Sequence, residues 1–245
     1  MKTLLFGAKA STLETELAKH PSLSLVTENP DVVISYGGDG TLLTAERLYP
    51  GVPKVPIRNS RRGNRTLHHP PGEVMERLAR GELVPMEFIK LQGTLYRDGA
   101  TEPVVKLIAM NEFNVHMAHV NTAVRFRVEI DHEPYADGRE FVGDGVLVST
   151  PFGSTAYFNH VTRGLFFRGL GVAFNHVAEH TTHLVLPEEC TVRIELTRGP
   201  ALLAYDSAPE YYELAEGDVI VAGKAPVPAT ILTWGVSSRH PSQSF

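Results

Sequence analysis

Over the first 88 residues, apolar runs alternate with stretches of helical spacing. Beyond that point the runs turn short and β-branched, with turn residues between them. KTLLFGA reads as a buried strand ending in glycine, and DVVISY and VPKVPI as two more strands. STLETELAKH carries a helix start signal: Ser11 or Thr12 as N-cap, Glu14 or Glu16 in the first turn, and Leu13 and Leu17 on one face. TLLTAERL reads as a second helix. GEVMERLARGEL reads as a third, with Val74, Leu78 and Met75 inward and Gly81 as its stop. This alternation predicts a parallel α/β unit over residues 1–88. Downstream, EFIKLQGTLYRD, VVKLIAMNEFNVHM, AVRFRVEIDHE, DGVLVSTP, HLVLP, TVRIELTR and DVIVAG predict a β-rich domain over residues 89–225. The stretch from about 226 to 245 is free to pack back on the first unit, and its polar end, HPSQSF, is expected to be mobile.

Composition narrows the function classes. A chain of 245 residues can bury roughly 70–75 % of its unfolded surface without staples. With 42 % hydrophobic and 21 % charged residues, it reads as an ordinary globular protein. A net charge of −5 argues against broad nucleic-acid binding and leaves no basic face for anionic lipid. The single cysteine, Cys190, excludes an internal disulfide and suits a reducing cytosol. It reads as a small packing residue. The apolar run in MKTLLFGAKAST is too short for the core of a signal peptide, and no window nears the ~18 apolar residues of a membrane span. The expectation is a cytoplasmic protein without membrane or nucleic-acid partners.

The first candidate chemistry lies in ISYGGDGTLLTAERL. A glycine-rich turn that ends a strand and opens a helix is where α/β sheets bind phosphate: bare backbone admits the ligand and helix N–H groups face it. Gly37, Gly38 and Gly40 suit that use, but the turn lacks both G-x-G-x-x-G spacing and the P-loop lysine. A carboxylate beside phosphates repels them unless it serves a proton or a cation. Asp39 therefore reads as a general base or Mg²⁺ ligand, or else simply as the N-cap of the helix.

GDGVLVSTPFGSTAYFNH repeats the ingredients: an acid between glycines, a strand, then Gly153 with the hydroxyls of Ser154, Thr155 and Tyr157. Asn111 and Glu112 put an amide beside a carboxylate at a strand start. Such a pair can read a purine edge or a ribose diol, or form an ordinary polar turn.

In this order and spacing, GGDGT, NE and DG…STPFGSTAY resemble the NAD kinase family, over roughly residues 31–225. GGDGT alone is shared with lipid kinases and phosphofructokinases, whereas TPxGSTAY downstream of it is specific. EVMERLARGEL resembles the helix closing the family's first domain, and YDS at 205–207 its late aspartate turn. The resemblance implies an α/β N-terminal domain and an all-β, β-sandwich C-terminal domain. It implies phosphoryl transfer from ATP, or polyphosphate, to the 2′-hydroxyl of the adenosine ribose of NAD, with Mg²⁺ or another divalent cation on ATP. Asp39 would be the base, and Gly37, Gly38, Gly40 and Thr41 would hold phosphates. Asp39, Gly40, Asn111, Glu112, Asp144, Ser154, Thr155, Ala156, Tyr157 and His160 would bind NAD: Asn111 and Glu112 the adenosine ribose, Asp144 the other end of the dinucleotide, and the GSTAY segment the adenine. A homodimer or homotetramer is implied as well. No residue is assigned to a metal.

The chain departs from the family at PIRNSRRGN, where Arg58, Arg61 and Arg62 stand in place of small apolar residues, as a phosphate contact or as a solvated loop. Val142 stands where a basic residue is common, and FNHVTRGLF replaces a stretch ending Gly-Gly-Pro. In NHVAEHTTH, His176, His180 and His183 would share one face if helical, but the carboxylate of a zinc motif is missing. A polar loop is the simpler reading. The competing functions are a lipid kinase of the diacylglycerol or sphingoid type and a non-catalytic nucleotide-binding protein.

Overall fold

A computed structural model describes residues 1–61 and 63–235; Arg62 and the tail from residue 236 lie outside them. The described residues divide into two units, residues 1–88 with those from 227 to 235, and residues 89–226. Among the described residues no helix is long and apolar enough to cross a membrane.

The first unit is built on β1 (Lys2–Phe6), β2 (Ser24–Leu25), β3 (Val32–Gly37), β4 (Lys54–Arg58) and β5 (Val84–Phe88). A sixth strand, Ala229–Thr233, arrives from the far end of the chain and lies between β4 and β5. It runs parallel to β4 and antiparallel to β5, while β2, β1, β3 and β4 are all parallel. Both faces of β3 are covered, which explains its unbroken apolar run: Val32 and Ile34 join one core, and Val33 joins another with Leu4 and Ala45. Among the described residues three α-helices complete the unit: α1 (Glu14–Leu17), α2 (Asp39–Leu48) and α3 (Pro71–Ala79). α3 starts with a proline at its first position and buries Val74, Met75 and Leu78. Gly81, at φ +68°, follows its end. At the back of α2, buried Glu46 pairs with buried Lys54, whose ammonium also donates to the Tyr49 carbonyl.

The predicted side-chain cap on the first helix is absent among the described residues. Ala10–Leu13 form a 3₁₀ turn before α1, and Thr12 donates to the Lys9 carbonyl instead.

The second unit is two antiparallel sheets with one core between them. The first holds β6 (Leu91–Tyr96), β7 (Val105–Ala109), β9 (Val124–Ile130), β10 (Glu133–Pro134), β11 (Phe141–Gly143), β15 (Val192–Arg198) and β18 (Val219–Lys224). The second holds β8 (Glu112–Met117), β12 (Gly145–Ser149), β13 (Leu170–Asn175), β14 (His183–Leu186), β16 (Ala201–Tyr205) and β17 (Tyr212–Leu214). Leu91, Leu95, Phe126 and Ile194 of one sheet meet Phe113, Val115, Val146 and Val148 of the other in this core. Packing is close enough that a Cβ on Gly93 would lie 2.7 Å from the Phe113 ring. The fold class is thus an α/β unit and a β-sandwich. Strand alternation sends Glu112 and Ser149, register partners on β8 and β12, to the outer face of their sheet. The short helix α4 (Tyr157–Thr162) covers that face, burying Phe158 against Leu147, Phe166 and Ala173.

Candidate functional site

Two clusters of polar residues stand out, each within one unit. The first forms where the first sheet changes direction. β1 leads to β2 on one side and β3 leads to β4 on the other, so a crevice opens beyond the C-terminal ends of β1 and β3. Glycines make this spot passable. A Cβ on Gly37 would lie 2.1 Å from Thr41 Oγ1, and one on Gly7, at φ +131°, would lie 2.4 Å from the Tyr36 carbonyl. Gly7 ends the first predicted strand, but nothing in the sequence ties it to GGDG. Only the parallel pairing of β1 with β3 does so.

Gly38, not Asp39, occupies the N-cap of α2, and no side chain among the described residues caps the helix. The N-cap reading of Asp39 is thereby overturned. Asp39 is the first helical residue, and its carboxylate reaches across to the 63–65 loop. Oδ2 accepts the Asn64 N–H and Oδ1 the Arg65 N–H, both at 2.9 Å. Burial pushes the Arg65 guanidinium below its usual range, and the Asp39 charge pushes it back up. The loop approaches so closely that a Cβ on Gly63 would sit 3.5 Å from Asp39 Oδ1.

Around Asp39 is an open cleft of about 610 Å³, lined by the Gly38–Gly40 turn, Arg58, Ser60, Arg61, Asn64 and His68. Arg58 is not a solvated side chain. It donates to the Ser60 carbonyl at 2.9 Å and the Arg61 carbonyl at 2.7 Å, and its Nη1 lies 2.9 Å from His68 Nε2. It braces the loop, while Arg61 is exposed on the cleft. The third arginine of this cluster, Arg62, lies outside the described residues. α2 starts at the same space with Gly38–Gly40 on the cleft wall, so the cleft combines cationic side chains, a helix N-terminus and one fixed carboxylate.

The second cluster is in the sandwich. VVKLIAMNEFNVHM forms two strands, with Met110 and Asn111 between them and Glu112 opening the second. The Met110, Asn111 and Glu112 N–H groups all donate to the Asp206 carboxylate, at 2.8, 2.6 and 3.4 Å. From the other side Thr150 clamps the same segment. Its N–H donates to the Asn111 carbonyl at 2.8 Å and its hydroxyl to the Met110 carbonyl at 2.6 Å. Gly153 leaves room for this contact, because a Cβ there would meet the Asn111 carbonyl at 2.3 Å. The TPFGST turn and the Asn-Glu pair, distant in sequence, are therefore one structure.

Glu112 is buried, and its Oε2 has no hydrogen-bond partner among the described residues. Burial, helped by the Asp206 charge, pushes its carboxyl up to about 8. Ser154 is buried and its hydroxyl donates inward, to the Pro151 and Phe166 carbonyls, so it builds the turn. Thr155, Ala156 and Tyr157 are partly accessible beside it, and His160 is exposed on α4. Asp144 sits five residues up β12 from Ser149, roughly 17 Å at ordinary strand rise, with Oδ2 3.1 Å from His176 Nδ1.

His176, His180 and His183 do not share a helical face. The first two lie in the loop after β13 and the third starts β14. Glu179 there accepts the Val142 N–H at 3.3 Å. Among the described residues no group of three or more His, Cys, Asp or Glu side chains is arranged to hold a metal.

A family model described as the ATP-NAD kinase C-terminal domain matches residues 110–232, half of the chain. The NAD kinase of Laribacter hongkongensis (strain HLHK9) is 36 % identical over 132 residues, 52 % of this chain and 43 % of that protein. Against this relative the chain spans less than half the length. The NAD kinase of Chloroflexus aggregans (strain MD-66 / DSM 9485) is 30 % identical over 230 residues, 87 % of this chain and 78 % of that one. Among solved structures, an NAD kinase from Archaeoglobus fulgidus in complex with ATP superimposes with a TM-score of 0.73 at 18 % identity, over 94 % of this chain and 92 % of that one, a likeness of fold.

Proposed function

Because the chain belongs to the NAD kinase family, we propose that it transfers the γ-phosphoryl group of ATP to the 2′-hydroxyl of the adenosine ribose of NAD. The products are NADP and ADP. The observation that carries this reading is a single carboxylate, Asp39, fixed by two backbone N–H groups at the mouth of a cleft that is otherwise cationic and rich in N–H donors. In a site built for phosphate, a lone fixed carboxylate suits a proton acceptor. As the 2′-oxygen bonds to phosphorus, its proton passes to Asp39, and the bond from the γ-phosphorus to the bridging oxygen breaks, its electron pair leaving on ADP. The Gly38–Gly40 turn and Arg61 hold phosphate, and positioning with charge neutralisation does most of the work. A divalent cation supplies part of that neutralisation when bound to the donor. Asp39 is the one carboxylate among the described residues that line the cleft, which fits an ion that arrives on nucleotide phosphates and keeps much of its water.

In this reading the first unit is the phosphate domain and the sandwich the acceptor domain. Asn111 and Glu112 hold the ribose, Thr155, Ala156 and Tyr157 border the adenine, and Ser154 shapes their turn. Asp144 serves the far end of the dinucleotide, at a distance set by the length of β12. The Archaeoglobus NAD kinase was solved in complex with ATP, which supports ATP over polyphosphate as donor.

The direct experiment is NADP formation by the purified chain with ATP, Mg²⁺ and NAD. Product is expected with NAD and none with diacylglycerol, and no NADP under any condition overturns the reading. Replacing Arg58 and Arg61 together by alanine is expected to raise the donor KM about tenfold, the loss of one charge-assisted contact. It should also flatten the salt dependence of KM. Initial rates against ATP at low and high salt check this.

A further inference from the structure

We propose that Asp206 is a positioning residue for the acceptor site, fixing the Met110–Glu112 backbone so that the Asn111 and Glu112 side chains are set before the ribose arrives. The inference rests on the acceptor-binding role given above to Asn111 and Glu112.

Three consecutive N–H groups converge on one carboxylate, forming a backbone nest of the kind that binds anions. Here the anion is the chain's own. The tie runs both ways, since the Asp206 N–H donates to the Glu112 carbonyl at 3.1 Å. Asp206 holds a left-handed backbone, φ +47°, which turns the chain after β16 and aims the carboxylate at the nest. With Thr150 on the carbonyl side, the segment has little freedom left, and neither Asn111 nor Glu112 need be ordered when ligand binds.

Burial raises the Glu112 carboxyl, and the same carboxylate adds to that shift. Asp206 is the charged group among the described residues that raises it. β12 brings Ser149 and Thr150, the Tyr205 hydroxyl pairs with Glu210, and His116 further along β8 bonds to the Met117 carbonyl. Burial and Asp206 together hold the Glu112 carboxyl up at about 8. With the 2′-hydroxyl proton directed to Asp39, the neighbouring ribose hydroxyl is the donor left for Glu112, and it is best met by an ionised carboxylate, so the Glu112 proton must leave as NAD binds.

The test is NAD affinity by calorimetry from pH 6 to 9.5 on the full chain, beside ¹³C NMR titration of Glu112 in the free protein. Wild-type affinity should rise to a midpoint near about 8 and level off. Asp206→Asn should lower both the midpoint and the NMR titration by about one pH unit or more. It should also weaken the plateau dissociation constant about tenfold. Asp206→Glu, which keeps the charge on a longer arm, should weaken the plateau with the midpoint unmoved. Wild-type behaviour in both variants overturns the proposal, and so does loss of fold in both, which would make Asp206 purely structural. The NMR titration needs no substrate, so a wild type that fails to phosphorylate NAD would sink the proposed function and leave the Asp206–Glu112 link measured.

Discussion

Asp39→Asn is expected to lower kcat by about two to four orders of magnitude, the usual worth of a positioned base. Asparagine has nearly the shape of aspartate but cannot take the proton of the 2′-hydroxyl. It also cannot accept both loop N–H groups, because its NH₂ must face either Asn64 or Arg65, donor against donor. A stability loss of about 1–3 kcal/mol should therefore accompany the kinetic loss. A control separates the two effects. Gly63→Ala crowds the same loop through its Cβ, 2.8 Å from Thr66 Oγ1, and leaves the carboxylate intact. That variant should melt earlier yet keep kcat within about tenfold, since its base is unchanged. If Gly63→Ala matches the kinetic loss of Asp39→Asn, the carboxylate is a loop anchor and not a base.

Glu112→Gln is expected to make the protein more stable and worse at binding NAD. The sign follows from the raised carboxyl. Below its ordinary value of 4.5, Glu112 is protonated in both folded and unfolded chains and contributes nothing. Between that value and about 8 the unfolded chain gives up the proton and the folded chain keeps it, so folding weakens as pH rises. Above about 8 the loss is complete, on the order of a few kcal/mol. Glutamine removes this penalty. Its melting temperature should match that of the native chain near pH 4.5 and exceed it increasingly toward pH 8.5. NAD affinity should fall and lose its pH dependence while ATP affinity holds, because a neutral amide accepts a ribose hydroxyl more weakly than a carboxylate and does not titrate. Differential scanning fluorimetry across pH, with calorimetry for each nucleotide, reads both halves. A variant that binds NAD as the native chain does, with the same pH profile, removes Glu112 from the acceptor site. Residues kept at a cost to stability are a mark of function.

What the sequence made legible was local. The GGDGT turn announces itself because a buried strand, three glycines and a helical run are contiguous, and α3 because its apolar spacing is regular and its stop is a glycine. The misreadings are tertiary. Asp39 looks like a cap until the 63–65 loop supplies its real partners. Asn111 and Glu112 read correctly as a strand start, but nothing nearby reveals that Asp206 holds their N–H groups. YDS stands out in the sequence, but its target lies almost a hundred residues earlier. Ala229–Thr233 does not: its pattern is ordinary, and its place beside β4 follows from topology alone.

That strand bears on how the protein is made. Among the described residues β5 joins its sheet only through Ala229–Thr233, so the first unit to leave the ribosome cannot be the first to finish. Residues 89–226 are continuous and can close their sandwich as they emerge. Meanwhile β4 waits with an unpaired edge, open to other nascent chains. A stop codon between residues 227 and 229 would leave the sandwich whole and strip the Asp39 unit of Ala229–Thr233 and, with it, of the pairing of β5. Under the proposed function, a truncated chain would keep the acceptor residues on an intact sandwich without a working Asp39 unit, whereas the Asp39 unit has no intact fragment of its own.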